Sequence, residues 1–503
     1  MTSTSLPAAI LATIRRYNML RAGDRIGIAV SAGLDSMALL RALVELQPQL
    51  PVELAVVHYN HRLRGEESEE DLRFVSAAAA SLGLTLFCAS AASVPVSDIE
   101  QTARNDRYAY FNELIASSHV TAVATAHTRS DQAETVLGRI LRGSGVAGMA
   151  GIRPATRERI IRPLLDSTRT EVEEYASLRG LQWREDSSNA DPRFLRNRIR
   201  RELLPLACEI AGDAVPGVLA NTAAAARDEE DYWDRTIGQV FAGSVLRERG
   251  HFLVSVTVLR DLHPAVARRL IRRCLLELRG DLRRVDLRHT DAILDLAQKT
   301  EGHGRVLVPG ADAMRSFDLI RIAVPEPGGR FARSWCHLLP PDQIFPIRLP
   351  AGPAASIWME MRSLHASEMS PDSYNKDLDE IDYARLPRPL EWRNWQPGDT
   401  FEVPGRGSQR VKTLFQEGRV PLWERSTWPV LASGSVVIWT RRWGTAGPFL
   451  AGPNTRERLR LMESRCEPGG PNESELPGRA SKEIDTDPFQ SRKTETGSNR
   501  EIE

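Results

Sequence analysis

Cysteine is scarce: the 503-residue chain has five, Cys88, Cys208, Cys274, Cys336 and Cys466, and no two stand in a CxxC spacing. That argues against a disulfide framework, a zinc site or a cysteine-held iron–sulfur cluster. Long apolar runs are missing too. No stretch approaches the roughly 18 residues of a spanning helix. The N-terminal "MTSTSLPAAILATIRRYNML" carries arginines inside its apolar part, unlike a signal peptide. A reducing cytoplasm and no membrane partner are expected. An excess of one charge is also absent, with Lys+Arg and Asp+Glu at 66 each. A globally basic polymer-binder is not indicated, so basic patches must be sought segment by segment.

The length is too great for one core, and two to four domains are expected. From about Arg25 to Leu165, short apolar runs (Ile26–Val30, Leu54–His58, Leu84–Cys88, Val120–His127) alternate with helix-like stretches such as Glu69–Leu82 and Ala103–Ala116. Alternation of this kind predicts βαβ units and a mostly parallel sheet, with ligands at the carboxyl ends of its strands. From Thr168 to about Leu296 helical periodicity dominates, and Gly280 reads as a stop after "ARRLIRRCLLELRG". Glu391–Pro448 is rich in Trp, Gly and short β-like runs. The polar end, 467–503, has too few large apolar residues to offset ordering and is expected to be disordered. The predicted units are 1–205 (parallel-sheet α/β), 206–330 (helical), 331–465 (small α+β) and a 466–503 tail. No internal repeat is present.

"AVSAGLDSMALL" joins the first strand to the first crossover helix, and its turn is Ser31-Ala32-Gly33-Leu34-Asp35-Ser36. A small-residue turn there suits phosphate, but a GxxxxGK[ST] loop would carry a lysine and this one has none. Ser31, Ser36 and backbone N–H groups can cradle a pyrophosphate at a helix N-terminus. Asp35 would repel it unless magnesium lies between them. By itself the hexapeptide reads equally well as a tight turn with a serine cap.

Four further stretches bear on chemistry. "VVHYNHRLRGEES" puts His58, His61, Arg62 and Arg64 after the second strand; two histidines are too few for zinc. "ATAHTRSDQAETVLGRILRGSG" ends the fourth strand at His127. Asp131, Glu134 and Thr135 then fall on one face of the next helix. Acidic residues near a helix N-terminus are favoured anyway. As a site, the Asp131–Glu134 pair could hold magnesium or the ammonium of an amine, with Arg139 and Arg142 further along for phosphate or nucleic acid. "EQTARNDRYAYF" sets Arg104 and Arg107 one turn apart. "REDSSNADPRFLRNRIRRELLP" has five arginines between Arg193 and Arg201, with Arg193, Arg196 or Asn197, and Arg200 on one helical face. Such a face suits nucleic-acid phosphates, which give affinity without reading sequence.

Together these stretches resemble one family, the tRNA(Ile)-lysidine synthases of the PP-loop (N-type ATP pyrophosphatase) superfamily. The family loop SGGxDS stands here as Ser31–Ser36. The HxNHxLRG-like stretch at His58–Gly65 follows, then ARxxRY at Ala103–Tyr108 and AHxxxDQAET at Ala126–Thr135. LRGSG at Leu141–Gly145, EDxSN at Glu185–Asn189 and RNxIR at Arg196–Arg200 complete the order. The resemblance is dense over roughly the first 205 residues. "RNWQPGDTF…VKTLFQEGRVPLWER", Arg393 to Arg425, is similar to the family's C-terminal domain. Ala32 departs from the pattern, where glycine is usual. Because everything downstream is intact, a negative φ is expected at Ala32.

The resemblance implies that ATP adenylates O2 of the wobble cytidine in the isoleucine tRNA with a CAU anticodon. The ε-amine of L-lysine then attacks C2, and AMP leaves. It implies ATP on Ser31, Ala32, Gly33, Leu34, Asp35, Ser36 and His58, with magnesium on Asp35. It further implies catalytic roles for Asp35, Arg107, His127, Asp131 and Glu134. Arg104, Arg139, Arg142, Arg193, Arg196, Arg200 and Lys412 are expected to hold tRNA, helped by the Trp-rich C-terminal part. A homodimer is compatible with it. A PP-loop thiolase would want paired cysteines, and a glutamine-fed synthetase a glutaminase domain; neither is visible. A non-catalytic tRNA binder has only Ala32 in its favour.

Overall fold

The computed structural model describes residues 5–92, 99–185, 195–248, 250–325, 335–350, 355–363 and 380–465. Arg193, most of the EDxSN stretch and the tail at 466–503 lie outside them. The chain divides into two compact units, Met1–Gly243 and Ser244–Glu503.

In the first unit α1 (Leu6–Arg16) precedes β1 (Arg25–Ala29), α2 (Leu34–Leu46), β2 (Glu53–Asn60), α3 (Glu66–Ser81), β3 (Thr85–Ser90), α4 (Ile99–Ala116) and β4 (Ala122–Ala124). Next come α5 (Arg129–Leu141), α6 (Gly145–Met149), β5 (Ile160–Ile161) and α7 (Arg169–Leu178). The strands form one parallel sheet in the order β3-β2-β1-β4-β5. Apolar strands buried on both faces produce this, as the runs from Ile26 and Leu54 predict. One core cluster joins Ile26, Ile28 and Val56 to α1, α2, α3 and α7, and a second joins Val57 and Val123 to Phe111 and Leu114 of α4. Gly27 permits that second contact, since a Cβ there would lie 2.6 Å from a Val57 methyl.

The chain proceeds outward from β1 to β2 and β3, then returns to the other side for β4. Loops leaving β1 and β4 therefore diverge, and the crevice between them is where a doubly wound sheet binds ligand. The unit ends in α8 (Leu195–Arg198), a single π turn (Ile199–Leu203), α9 (Leu204–Ala211) and the 30-residue α10 (Val215–Ser244).

The second unit adds strands to the helices of the 206–330 stretch. A hairpin, β6 (Val245–Glu248) and β7 (His251–Ser255), opens it, followed by α11 (Val256–Asp261), α12 (Pro264–Arg279) and α13 (Leu287–Gln298). With β8 (His303–Val308), β9 (Ala311–Ser316) and β10 (Leu319–Ala323) the hairpin makes an antiparallel sheet, β6-β7-β10-β9-β8. The arginine-rich α12 does stop at Gly280, in the left-handed region at φ +80°.

The rest is β-rich. It comprises β11 (Cys336–Leu339), β12 (Ile347–Pro350), β13 (Ala355–Ser363), β14 (Glu380–Asp382), β15 (Leu390–Asn394), β16 (Thr400–Val403) and β17 (Gly407–Arg410). After these come α14 (Val411–Glu417), α15 (Leu422–Arg425), β18 (Pro429–Ser433), β19 (Val436–Thr440), β20 (Gly444–Thr445) and β21 (Glu457–Arg465). The tryptophans fill cores: Trp392, Trp428 and Trp439 are buried, and the Phe415 ring stands 5.2 Å from Trp395 and 5.4 Å from Trp428. One charged pair lies inside this part: Arg393 NH1 and NH2 each meet an Asp399 carboxylate oxygen at 2.8 Å, with side-chain exposures of 2% and 3%.

Candidate active site

The loop after β1 is closed by its own hydroxyls. Ser31 N–H donates to Ser36 Oγ at 3.1 Å, and Ser36 Oγ donates to the Gly33 carbonyl at 2.8 Å. Gly33 then caps α2, whose first-turn amides have no intrahelical acceptor and face the crevice end of the helix. Ala32 corrects the sequence expectation: its φ is +67° and it is fully buried. Its carbonyl is fixed by Arg184 N–H at 3.0 Å. Arg184 is itself clamped to α3, with Nε 2.6 Å from Asp71 and NH2 2.5 Å from Glu70. External anchoring of this kind holds a conformation that costs alanine about 1–2 kcal/mol.

Glycine at this position would relieve that strain. It would also add about 0.4–1 kcal/mol of unfolded-chain entropy and give up about 0.8 kcal/mol of methyl burial. Ala32→Gly is therefore expected to leave stability within about 1 kcal/mol. Ala32→Val combines strain with overpacking and should cost about 2–3 kcal/mol. Urea unfolding of both variants checks this; a valine variant as stable as the parent would contradict the left-handed assignment.

His58, at the end of β2, is buried, and its Nδ1 lies 2.8 Å from the Val30 carbonyl. A carbonyl only accepts, so Nδ1 carries the proton and Nε2 is left as an acceptor. Burial holds its pKa below the usual imidazole value.

The second half of the crevice is the start of α5. Thr128 and Asp131 form a capping box in which Asp131 Oδ2 accepts from Thr128 N–H at 2.8 Å. The cap uses one oxygen only. Asp131 Oδ1 accepts from Arg196 NH2 at 2.6 Å and Arg200 NH2 at 3.0 Å. Glu134, one turn on and 2% exposed, accepts from Arg196 Nε at 3.0 Å and Arg200 Nε at 2.5 Å. Two carboxylates and two guanidiniums thus make a closed quartet. Despite burial, Arg196, His127, the Thr128 amide and Arg200 hold Asp131 below the usual carboxylate range.

His127 precedes the cap, with Nδ1 3.0 Å from Thr125 Oγ1. Burial pushes its pKa down to about 3 against the pull of Asp131. Asp35 moves the other way: burial and then Asp131 push it up to about 6, although Arg169 opposes them. His61 is lowered to about 4 by burial and Arg107.

These shifts set a pH dependence. The unfolded state takes up protons on the histidines below about 6.5, whereas folded His61 and His127 do not, so stability falls as pH drops from about 6.5 towards 4. Asp35 opposes this, because the folded state binds its proton first, from about 6 downward. Three depressed histidines, His58 among them, against one raised carboxylate predict a lower melting temperature at pH 5 than at pH 7. A flat or rising profile would contradict the burial of these imidazoles.

The tRNA-assigned arginines sort differently. Arg104 stacks on Tyr108, 4.7 Å from the ring centroid, and donates to its hydroxyl at 3.2 Å. Arg107 has a buried Nε without a partner among the described residues, and burial lowers its pKa. Arg139 NH1 holds the Gly148 and Gly151 carbonyls at 3.0 and 2.9 Å, a loop-fixing role. Arg142 is exposed at the end of α5, and Lys412 is exposed on α14. Arg196 and Arg200 face Asp131 and Glu134.

A PP-loop domain model matches residues 8–207, a TilS substrate-binding domain model 255–319 and a TilS substrate C-terminal domain model 390–461. A tRNA(Ile)-lysidine synthase of Solibacter usitatus is 43% identical over 449 residues, covering 88% of this chain and 99% of the relative. The chain belongs to the tRNA(Ile)-lysidine synthase family. Other relatives of that name come from Symbiobacterium thermophilum, at 35% identity over 90% of this chain and 96% of the relative, and Geobacter sulfurreducens, at 32% over 91% and 98%.

On this chain the PP-loop match runs from within α1 into α9 and so contains the whole crevice. Sequence reasoning missed three of its arginines. Arg169 sits on Asp35, with NH1 2.7 and 2.6 Å from the two carboxylate oxygens. Buried Arg162 donates to the Arg153 carbonyl and, at 3.2 Å, to the Tyr108 hydroxyl. Arg184 anchors the loop. The one available signal was Thr168-x-x-Glu171, a capping box that starts a helix at Arg169 just after β5.

Proposed function

We propose that the chain joins L-lysine to C2 of the wobble cytidine of tRNA(Ile) with a CAU anticodon, through an adenylated tRNA, in the cytoplasm. The observation that carries this reading is the pairing across one crevice of an anion-cradling loop with a buried carboxylate pair, Asp131 and Glu134, already engaged by cations. The loop offers amides and hydroxyls to the phosphates of ATP. The carboxylate pair offers the lysine ammonium the charge that Arg196 and Arg200 now satisfy.

Asp35 and the nearby charge of Asp131 suit a divalent cation. Among the described residues no group of three or more His, Cys, Asp or Glu could hold a metal ion. Magnesium is commonly bound by one or two carboxylates together with substrate phosphates. When bound, it would neutralise charge on the phosphates. Arg104 and Arg107 are set to meet the nucleotide or RNA phosphates.

His127 is neutral at working pH, with one ring nitrogen protonated and the other able to accept a proton. The arriving phosphate of the adenylate raises its basicity, which lets it take a proton from the bound ammonium and free the ε-amine. The amine then bonds to C2, the C2–O2 bond breaks with its electron pair leaving on the oxygen of AMP, and the second N–H proton passes to water. The cytidine leaves its stack to enter the crevice, as chemistry on a base requires. Incubation with ATP, labelled lysine and the tRNA, followed by nucleoside analysis, tests the proposal. Label in a modified cytidine is expected; unlabelled cytidine throughout would reject it.

A further inference from the structure

The loop between β1 and α2 contains no lysine or arginine, yet a cation stands on it. Arg169, the first residue of α7, places NH1 within 2.7 Å of both Asp35 oxygens, across 134 residues of sequence. Its Nε donates to Glu173 at 2.8 Å, which orients the guanidinium plane. The backbone beneath it is fixed: Arg129 N–H donates to the Ser167 carbonyl at 2.9 Å, and the Arg129 guanidinium to the Asp166 carbonyl. The start of α7 is thereby tied to the first turn of α5. The Arg169 and Asp35 side chains are 45% and 27% exposed, so the pair opens onto the crevice. Before lysine arrives, Arg196 and Arg200 are held by Asp131 and Glu134, and Arg184 is held by α3.

We propose that Arg169 is the pyrophosphate-binding cation of this site, a role that rests on reading the loop as the ATP site. It exchanges Asp35 for the β- and γ-phosphates as ATP binds. When cytidine O2 bonds to the α-phosphorus, the bond from that phosphorus to the bridging oxygen breaks. Its electron pair stays on that oxygen, and the leaving pyrophosphate gains negative charge. A guanidinium presents a planar fork of donors that matches phosphate oxygens, and a polyphosphate offers it more charge than one carboxylate. The cation missing from the loop sequence is thus delivered from a helix start.

The test is calorimetric titration of inorganic pyrophosphate, with magnesium, into the full chain without tRNA. Wild type is expected to bind, and Arg169→Ala to bind at least tenfold more weakly. Arg169→Lys, which restores the charge without the fork, should recover part of the loss. Pyrophosphate release during adenylation should slow in parallel, with the KM for tRNA unchanged. Should Arg169→Ala not fold, Arg169→Gln is expected to show the same loss. Pyrophosphate affinity within twofold of wild type in these variants, or no binding by wild type, overturns the proposal. Lysidine formation by wild type is scored separately, so failure here leaves the overall reaction to its own test.

Discussion

Glu134→Gln is expected to stop lysine transfer, or raise the apparent lysine KM tenfold or more, while adenylated tRNA still accumulates. The loop and Asp35 are untouched by the change. Glu134 is the more buried of the two carboxylates and meets both guanidiniums. Removing one partner of a desolvated charge pair typically costs about 2–5 kcal/mol, whose low end is roughly thirtyfold, so tenfold is a conservative threshold. A stability loss accompanies it. A fully buried pair would cost about 3–5 kcal/mol. Arg196 and Arg200 retain side-chain exposures of 37% and 42%, so water offsets part of that. Roughly 1–3 kcal/mol is expected, and kinetics should be read well below the melting temperature. The two half-reactions decide the matter. If pyrophosphate release collapses with transfer at saturating magnesium, Glu134 serves the nucleotide or the fold and not the amine.

Asp399→Asn should destabilise the C-terminal part by about 3–5 kcal/mol, because it leaves the Arg393 guanidinium without its paired charge. Both side chains are almost wholly buried. The rest of the Arg393 environment, the Asn394 and Gly434 carbonyls at 3.1 and 2.7 Å and Glu391 at 3.1 Å, is only partly compensating. Asp399 also accepts from Gln396 N–H at 2.9 Å, which closes the turn into β16. Denaturant unfolding that resolves the second unit should show the loss, with pyrophosphate binding by the first unit unchanged. A shift below 1 kcal/mol would mean that water reaches Arg393.

Strands β1, β2 and β4 were legible because apolar runs buried on both faces leave no alternation to misread, whereas β3, at the sheet edge with Thr85, Cys88 and Ser90 exposed, showed only as the short run Leu84–Cys88. The loop was legible only through the motifs that follow it, because small residues between strand and helix serve a tight capped turn equally well. The partners of Arg196 and Arg200 were not. An arginine-rich helical face looks the same whether it meets RNA phosphate or carboxylates that pack against it from 60–70 residues away. Ala32 misled because an intact motif argues that the backbone is ordinary, whereas here Arg184, from beyond α7, holds it in the left-handed region. The β6–β7 hairpin was masked by strongly helical sequence on both sides, the alanine-rich α10 before it and the arginine-rich α12 after it. Its one local cue is Gly250, at φ +77°.

The crevice is assembled from parts made far apart in time. β5, the last strand of the first sheet, ends at Ile161, and the side chains that neutralise Asp35, Asp131 and Glu134 all come later, from Arg169, Arg196 and Arg200. Glu134 and Arg200 are 66 residues apart, which at 5–20 residues per second is roughly 3–13 s of synthesis. During that interval the nascent sheet carries carboxylates with no countercharge. They must stay hydrated or take up protons, so the α5 edge should be the last region of the emerging domain to gain protection against proteolysis. A ribosome-bound chain halted between Ile161 and Arg196 would therefore hold a paired sheet with an open, cleavable carboxyl edge.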